Sequence, residues 1–337
     1  MAWKRARLAS LVALFATGFV LLSAEAAPMK RALRGYVPFE NSPFPFTGVI
    51  PGKDEPFLDV EKDGRKGHTS PRGGVYWQDE TYNDRRVLLD IPKRFDPARP
   101  GVIVVFFHGN KSKLERDVVG KHQVPRQVAR AGLNAVLVAP QFAVDALDST
   151  AGRFYQPGFF AKFMDEAARE LARLAGDPRL KATFEGLPIV IVAYSGGYTP
   201  AAYAAQVGGV GDRIRAILLF DALYGELDKF AGWVERRAGT VFFSAHGKSS
   251  REPNSTLQSR LTAAGIDIRS ELPQNAFPRG SVTFYAASEE LQHGDFLTKA
   301  WVDDPVQEVL AKVGPAVKPP PTAQKAKAKP KRRADNQ

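Results

Sequence analysis

Three residue types that can cooperate in nucleophilic catalysis fall at the ends of separate apolar runs. Ser195 closes "LPIVIVAYS" and is followed by two glycines; Asp221 follows "RIRAILLF"; His293 lies in "SEELQHGDF", after "SVTFYAA". A serine hydroxyl is a weak nucleophile until a neighbouring base takes its proton. An imidazole can take that proton and return it to a leaving group. A carboxylate can hold the imidazole in one orientation and stabilise its protonated form. The other reading of "AYSGG" is a plain turn at a strand end, or a phosphate-binding turn ahead of a helix. It lacks both the G-x-G-x-x-G spacing and a G-K-[ST] ending, which weakens a nucleotide site.

These residues need elements that bring them to one edge. Seven short runs read as strands: Arg86–Ile91, Val102–Phe107, "NAVLVAP" up to Pro140, Ile189–Ala193, Arg213–Phe220, Thr240–Ala245 and Ser281–Ala287. Several are apolar throughout, the pattern of strands covered on both faces. Helical spacing appears between them, near 124–131 and over "DEAARELARL". This alternation predicts an α/β fold, a mostly parallel central sheet with helices on both faces. In such sheets ligands gather at the carboxyl ends of the strands, which is where Ser195, Asp221 and His293 stand. The domain is expected over 75–315. Residues 27–74, rich in Pro, Gly and aromatics, read as an irregular extension wrapped on the core.

On these motifs the chain resembles the α/β-hydrolases. The order Ser, Asp, His is that family's order, and Ala193-Tyr194-Ser195-Gly196-Gly197 is similar to its G-x-S-x-G elbow, with alanine for the first glycine. The resemblance implies a serine hydrolase in which Ser195 is the nucleophile, His293 the base and Asp221 the acid. It also implies an oxyanion hole made by the backbone N–H groups of Gly196 and Asn110, the latter in the loop that starts with His108-Gly109. The family's acid more often follows the next strand. There "SAHGKSS" offers no carboxylate before Glu252, so Glu252 is the alternate acid, and Asp148 comes after it. Asp221 also has a bland reading as a helix cap. His246 competes with His293 as the base, or otherwise touches substrate. His108 reads as scaffold for the oxyanion loop, and His68 and His122 as surface residues. A metal site would have to draw on His108, His246, His293 and Asp221. Their sequence spacing matches no metal motif, so neither metal nor cofactor is expected. Residues 143–163 fall where hydrolases carry loops over the pocket. Phe154, Tyr155, Phe159 and Phe160 line an apolar site there or simply pack helix against sheet; Tyr194 and Tyr198 flank the nucleophile and belong to the pocket or the core.

The rest of the composition narrows the setting. There are no cysteines among 337 residues, which excludes disulfides, thiolate nucleophiles and cysteine-bound metal. The net charge of +11 suggests nucleic acid until it is located. Residues 1–34 hold six Lys/Arg and one acid, and residues 318–337 hold seven and one, so the 34 bases and 34 acids between them balance. A basic fold gripping a phosphate backbone is not expected. Lys4, Arg5 and Arg7, the apolar run Leu8–Leu22 and Ala24-Glu25-Ala26 read as a cleaved signal peptide over 1–26, hence a periplasmic or secreted protein. An uncleaved membrane anchor is the alternative. The Pro/Ala/Lys-rich segment 316–337 is expected to be a disordered tail, either merely solvated or weakly attached to anionic envelope polymers. The reading that follows is an exported hydrolase of a small or cell-envelope ester. Its rivals are a cell-wall peptidase or amidase, and a catalytically silent fold that binds an envelope partner.

Overall fold

The computed structural model describes residues 27–53 and 55–314. The signal-peptide segment and residues 315–337, which take in the basic tail, lie outside them.

Twelve strands are described: β1 Leu33–Pro38, β2 Val60–Lys62, β3 Arg65–Thr69, β4 Val75–Trp77, β5 Arg86–Ile91, β6 Val102–Phe107, β7 Ala135–Pro140, β8 Ile189–Tyr194, β9 Ile214–Phe220, β10 Val241–His246, β11 Ile268–Arg269 and β12 Val282–Ala286. Nine form one sheet in the order β1-β5-β7-β6-β8-β9-β10-β12-β11. The pairings β1 with β5 and β5 with β7 are antiparallel, and all the others are parallel. The expected α/β class, a mostly parallel sheet between helices, is what the chain forms. Each of the seven strands read from sequence is present to within a residue or so.

The apolar runs are continuous because both faces are covered. In β6 and β8 every residue is buried. Alternate side chains enter two separate clusters. Ile103, Val105, Phe107, Ile189, Ile191 and Ala193 face one, and Val104, Phe106, Val190, Val192 and Tyr194 face the other. On the first face lies the long helix Phe159–Ala175, whose Phe160, Phe163, Ala167 and Leu171 are buried against the sheet. Gly176, at φ 76°, ends that helix in the left-handed conformation glycine adopts most readily.

Residues 27–74 depart from the expected irregular wrap. β1 adds itself to the edge of the main sheet, with Leu33 opposite Ile91 and Pro38 opposite Arg86. β2, β3 and β4 make a separate three-stranded sheet. Edge strands need backbone pairing on one side only and tolerate Gly, Pro and half-exposed side chains. β1, "LRGYVP", has no residue fully buried, so its composition resembled a loop.

Candidate active site

β8 runs straight to the nucleophile. Tyr194 is its last residue, Ser195 follows at φ 51°, and the helix Tyr198–Gln206 begins three residues later. A left-handed serine is strained, and such strain persists only where the surroundings enforce it. They do so by crowding. A Cβ on Gly197 would stand 2.3 Å from the Phe107 carbonyl oxygen, and one on Gly196 would stand 2.2 Å from the Asn110 side-chain amide. At Gly197 the obstacle is backbone of the neighbouring strand, which leaves no room for another residue, whereas at Gly196 two side chains would have to move. Ala193 lies fully buried in the sheet, with its neighbours Phe107 and Leu219 on either side. The elbow therefore needs its glycine after the serine and accommodates a methyl before it.

Ser195 Oγ is 2.8 Å from His293 Nε2, and His293 Nδ1 is 2.5 Å from Asp221 Oδ2. The Ser195 hydroxyl donates to the ring, and the Nδ1–H donates to the carboxylate. The three residues arrive from the ends of β8, β9 and β12, so residues 98 and 72 positions from His293 meet it on one sheet edge. Asp221 is 1% exposed and sits at φ 41°. Burial pushes its carboxyl up, but bonds from His293, Ser250 and the Gly247 N–H together outweigh burial and hold it at about 2. It is ionised throughout the neutral range and can steady a protonated imidazole.

More donors serve that carboxylate than the sequence suggested. Ser249 Oγ and the Tyr224 hydroxyl each donate to Oδ2 at 3.1 Å; Ser250 donates to Oδ1, and the Gly247 N–H reaches it at 3.3 Å. The loop after β10 thus supplies hydroxyls to an acid held one strand earlier. Its serines in "SAHGKSS" were the available signal. Glu252 lies in the first turn of the next helix and accepts from Thr256. Asp148 is committed to the Tyr82 hydroxyl at 2.6 Å and to Thr150.

The oxyanion loop is braced from beneath. His108 is buried; its Nε2 accepts from the Phe142 N–H at 2.9 Å, while Nδ1 is 2.8 Å from the Gly109 carbonyl. Burial lowers its pKa from 6.5 to about 4, so it is neutral scaffold. Gly109 backs directly on the nucleophile, since a Cβ there would lie 2.7 Å from Ser195 Cβ. Oriented so that both its ends are paired, the Asn110 amide donates to the Asp148 carbonyl at 2.7 Å and to Ser149 Oγ at 3.1 Å, and accepts from Arg72 at 3.2 Å. Gly196 and Asn110 therefore stand on either side of one narrow contact beside Ser195.

The other residues separate. Tyr194 is no pocket residue: its ring stacks on His293 at 5.0 Å and 18°, and its hydroxyl donates to the His293 carbonyl at 3.1 Å. It fixes the base from behind. His246 ends β10, has no hydrogen bond to Ser195 or Asp221 among the described contacts, and lies outside the cleft; its Nδ1 is buried without a partner. His68 and His122 are both buried, at 3% exposure, against the surface reading. His68 packs on Phe57 at 4.3 Å and His122 on Tyr194 at 5.3 Å, so aromatic partners brought in by the fold cover them. Among the described residues, no group of three or more His, Asp or Glu is disposed to hold a metal.

Beside the elbow opens a cleft of about 180 Å³, lined by Lys53, Arg72, Ser149, Tyr155, Tyr198 and Thr199 among others. Of the aromatics in residues 143–163, Tyr155 lines it, whereas Phe154 and Phe160 are fully buried core. Among the described residues, no helix is long and apolar enough to cross a membrane.

No protein-family model matches the chain, and no curated protein matches it in sequence. Solved structures do. An S-formylglutathione hydrolase from Agrobacterium tumefaciens is similar at 14% identity and TM-score 0.43, over 76% of this chain and 98% of that one. The feruloyl esterase module from Clostridium thermocellum is similar at 12% and 0.40, over 80% and 97%. FphF, a fluorophosphonate-binding serine hydrolase of Staphylococcus aureus, is similar at 12% and 0.41, over 72% and 94%. Likenesses this distant carry no weight for chemistry, which must come from the chain itself. In its sheet order, its strained serine elbow and its Ser195–His293–Asp221 hydrogen bonds, the chain has the architecture of an α/β-hydrolase.

Proposed function

We propose that the chain is an exported serine hydrolase that cleaves carboxylic esters through an acyl-enzyme on Ser195. One observation carries this reading: the unbroken series of hydrogen bonds from Asp221 through His293 to Ser195. A fold kept only for binding would not need that series, which weighs against the silent alternative.

The steps balance without a further reactant except water. Ser195 Oγ bonds to the acyl carbon while His293 Nε2 takes the hydroxyl proton. The carbonyl oxygen, now negative, is met by the backbone N–H groups of Gly196 and Asn110. The ester C–O bond breaks, and His293 returns the proton to the departing alcohol. A water then loses a proton to His293, attacks the acyl carbon, and releases the acid as Ser195 regains its proton. Asp221 stays ionised throughout and orients the ring.

Fluorophosphonate labelling and a series of p-nitrophenyl esters of rising chain length test this. The wild-type chain is expected to label and turn over, and Ser195→Ala to do neither, with turnover below about 0.1% of wild type. An unlabelled, inactive wild type would overturn the reading. Turnover of acyl-peptide amides but not esters would favour the peptidase. Export rests on the sequence of residues 1–26. The mass of the protein recovered outside the cytoplasm should correspond to a chain starting at Ala27 or Pro28. The basic tail is proposed to rest against anionic envelope polymer, which salt-dependent co-sedimentation of the full chain with such polymer would show.

A further inference from the structure

Two cations line the cleft without a direct ion-pair partner. Arg72 and Lys53 both face it, and among the described residues neither forms an ion pair with a carboxylate. Two carboxylates also line it, but both are engaged. Asp148 is buried and accepts from Tyr82 and Thr150, and Glu226 is paired with Lys229 at 2.7 Å. The cleft walls between them are hydroxyl and aromatic side chains: Ser149, Thr199, Tyr155 and Tyr198.

Arg72 is tied to the loop beside the reacting centre. Its guanidinium donates to the Asn110 amide at 3.2 Å, in the loop beside Ser195. That single bond uses one of five N–H donors, and the fork that remains suits a planar anion. Tyr224 bonds Asp221. Burial raises the pKa of the Tyr224 hydroxyl, and the Arg72 charge is among the groups that oppose the rise. The cation therefore contacts the oxyanion loop and lies within electrostatic reach of Tyr224, which bonds the acid.

We infer that the cleft selects esters bearing an anionic group, a carboxylate in the first instance, which Arg72 binds with its free N–H donors while Lys53 adds a second positive charge. This specificity rests on the serine-hydrolase reading above and names the substrate class for it. An uncharged ester would leave the fork solvated and gain nothing from it. An anionic one exchanges a water-bound fork for a charge-assisted pair at the wall of a partly enclosed site, where such bonds are strongest.

The anion can sit on the acyl or the alcohol half, and two substrate pairs separate these. Mono-p-nitrophenyl succinate against p-nitrophenyl butyrate places it on the acyl half; 4-carboxyphenyl butyrate against phenyl butyrate places it on the alcohol half. In one pair, the wild type is expected to favour the anionic member in kcat/KM by about tenfold, as one charge-assisted hydrogen bond would give. Arg72→Gln should erase that preference through KM, Lys53→Gln should reduce it, and 0.5 M salt should weaken it. Arg72 is exposed, so its loss leaves the core intact. Fluorophosphonate labelling runs alongside every variant. If the wild type labels and hydrolyses the neutral esters but neither pair shows a preference, or if the preference survives Arg72→Gln, the inference falls while the hydrolase reading stands. If nothing labels and nothing is hydrolysed, the hydrolase reading itself falls and takes this inference with it.

Discussion

Asp221 receives more hydrogen bonds than the orientation of one imidazole requires. His293, Tyr224 and Ser249 all donate to Oδ2, and Ser250 and Gly247 to Oδ1. Donors to a carboxylate spread its charge away from the ring and lower its basicity. Tyr224→Phe removes one such donor and leaves the packing of the ring unchanged. The carboxylate then presents more negative charge to the imidazole, which favours the protonated ring. The acid limb of kcat/KM should therefore move to higher pH. A pH–rate profile of the variant with a p-nitrophenyl ester checks this. An unmoved limb would mean that Tyr224 only packs. The triad was legible in the sequence because strand ends can be counted along a chain. Tyr224, Ser249 and Ser250 were not, because they meet only when the loops after β9 and β10 fold over the same carboxylate. His68 and His122 were misread for a related reason: their cover comes from aromatic rings outside their own elements, Phe57 and Tyr82 for His68 and Tyr194 for His122, which meet them only in the folded chain.

At the scale of elements, the turn from β8 into the helix Tyr198–Gln206 explains the one irregular letter of the elbow. The two small positions are not equivalent. At Gly197 an added methyl would meet the Phe107 carbonyl oxygen at 2.3 Å, which is backbone of the neighbouring strand and cannot step aside. Gly197→Ala should cost about 2 kcal/mol or more in urea unfolding and sharply reduce fluorophosphonate labelling, because the strand and the nucleophile must shift together. Ala193 already carries its methyl inside the packed sheet. Ala193→Gly restores the motif's usual letter, yet it should lower stability by about 1 kcal/mol, since glycine in a strand loses more backbone freedom and leaves the methyl's space empty. Labelling should persist. Equal effects at the two positions would show that the crowding at Phe107 does not set the turn. The core strands were legible as unbroken apolar runs for the same reason that they pack: both faces are covered. β1 to β4 gave no such signal, because edge strands and a small separate sheet are held by backbone pairing, with half-exposed side chains.

At the scale of the whole molecule, two buried histidines set how the fold meets acid. Burial, the larger cause at each, lowers His108 and His122 from 6.5 to about 4; Lys121 adds to it at His122, and Asp117 works against it at both. Each ring is neutral when folded and gains a proton more readily when unfolded. Between pH 6.5 and about 4 the unfolded chain therefore binds more protons, and stability must fall as pH falls. Above 6.5 neither state is protonated at these rings and their contribution is flat; below about 4 both states are protonated and it is flat again. Asp221, held at about 2, extends the loss at lower pH, because its carboxylate is favoured only in the folded state. The limiting slope from the two rings is about 1.4 kcal/mol per pH unit each. Urea midpoints measured from pH 8 to pH 4.5 should be level down to about 6.5 and then decline steeply. His122 has one ring nitrogen, Nδ1, buried with no partner, and its ring lies edge-on to Tyr194 behind the catalytic base. His122→Phe keeps an aromatic there without the proton, so it should flatten part of that decline. If the variant's midpoints fell as steeply as those of the wild type, His122 would add nothing to the acid sensitivity, which would then rest on His108, His246 and the carboxylates.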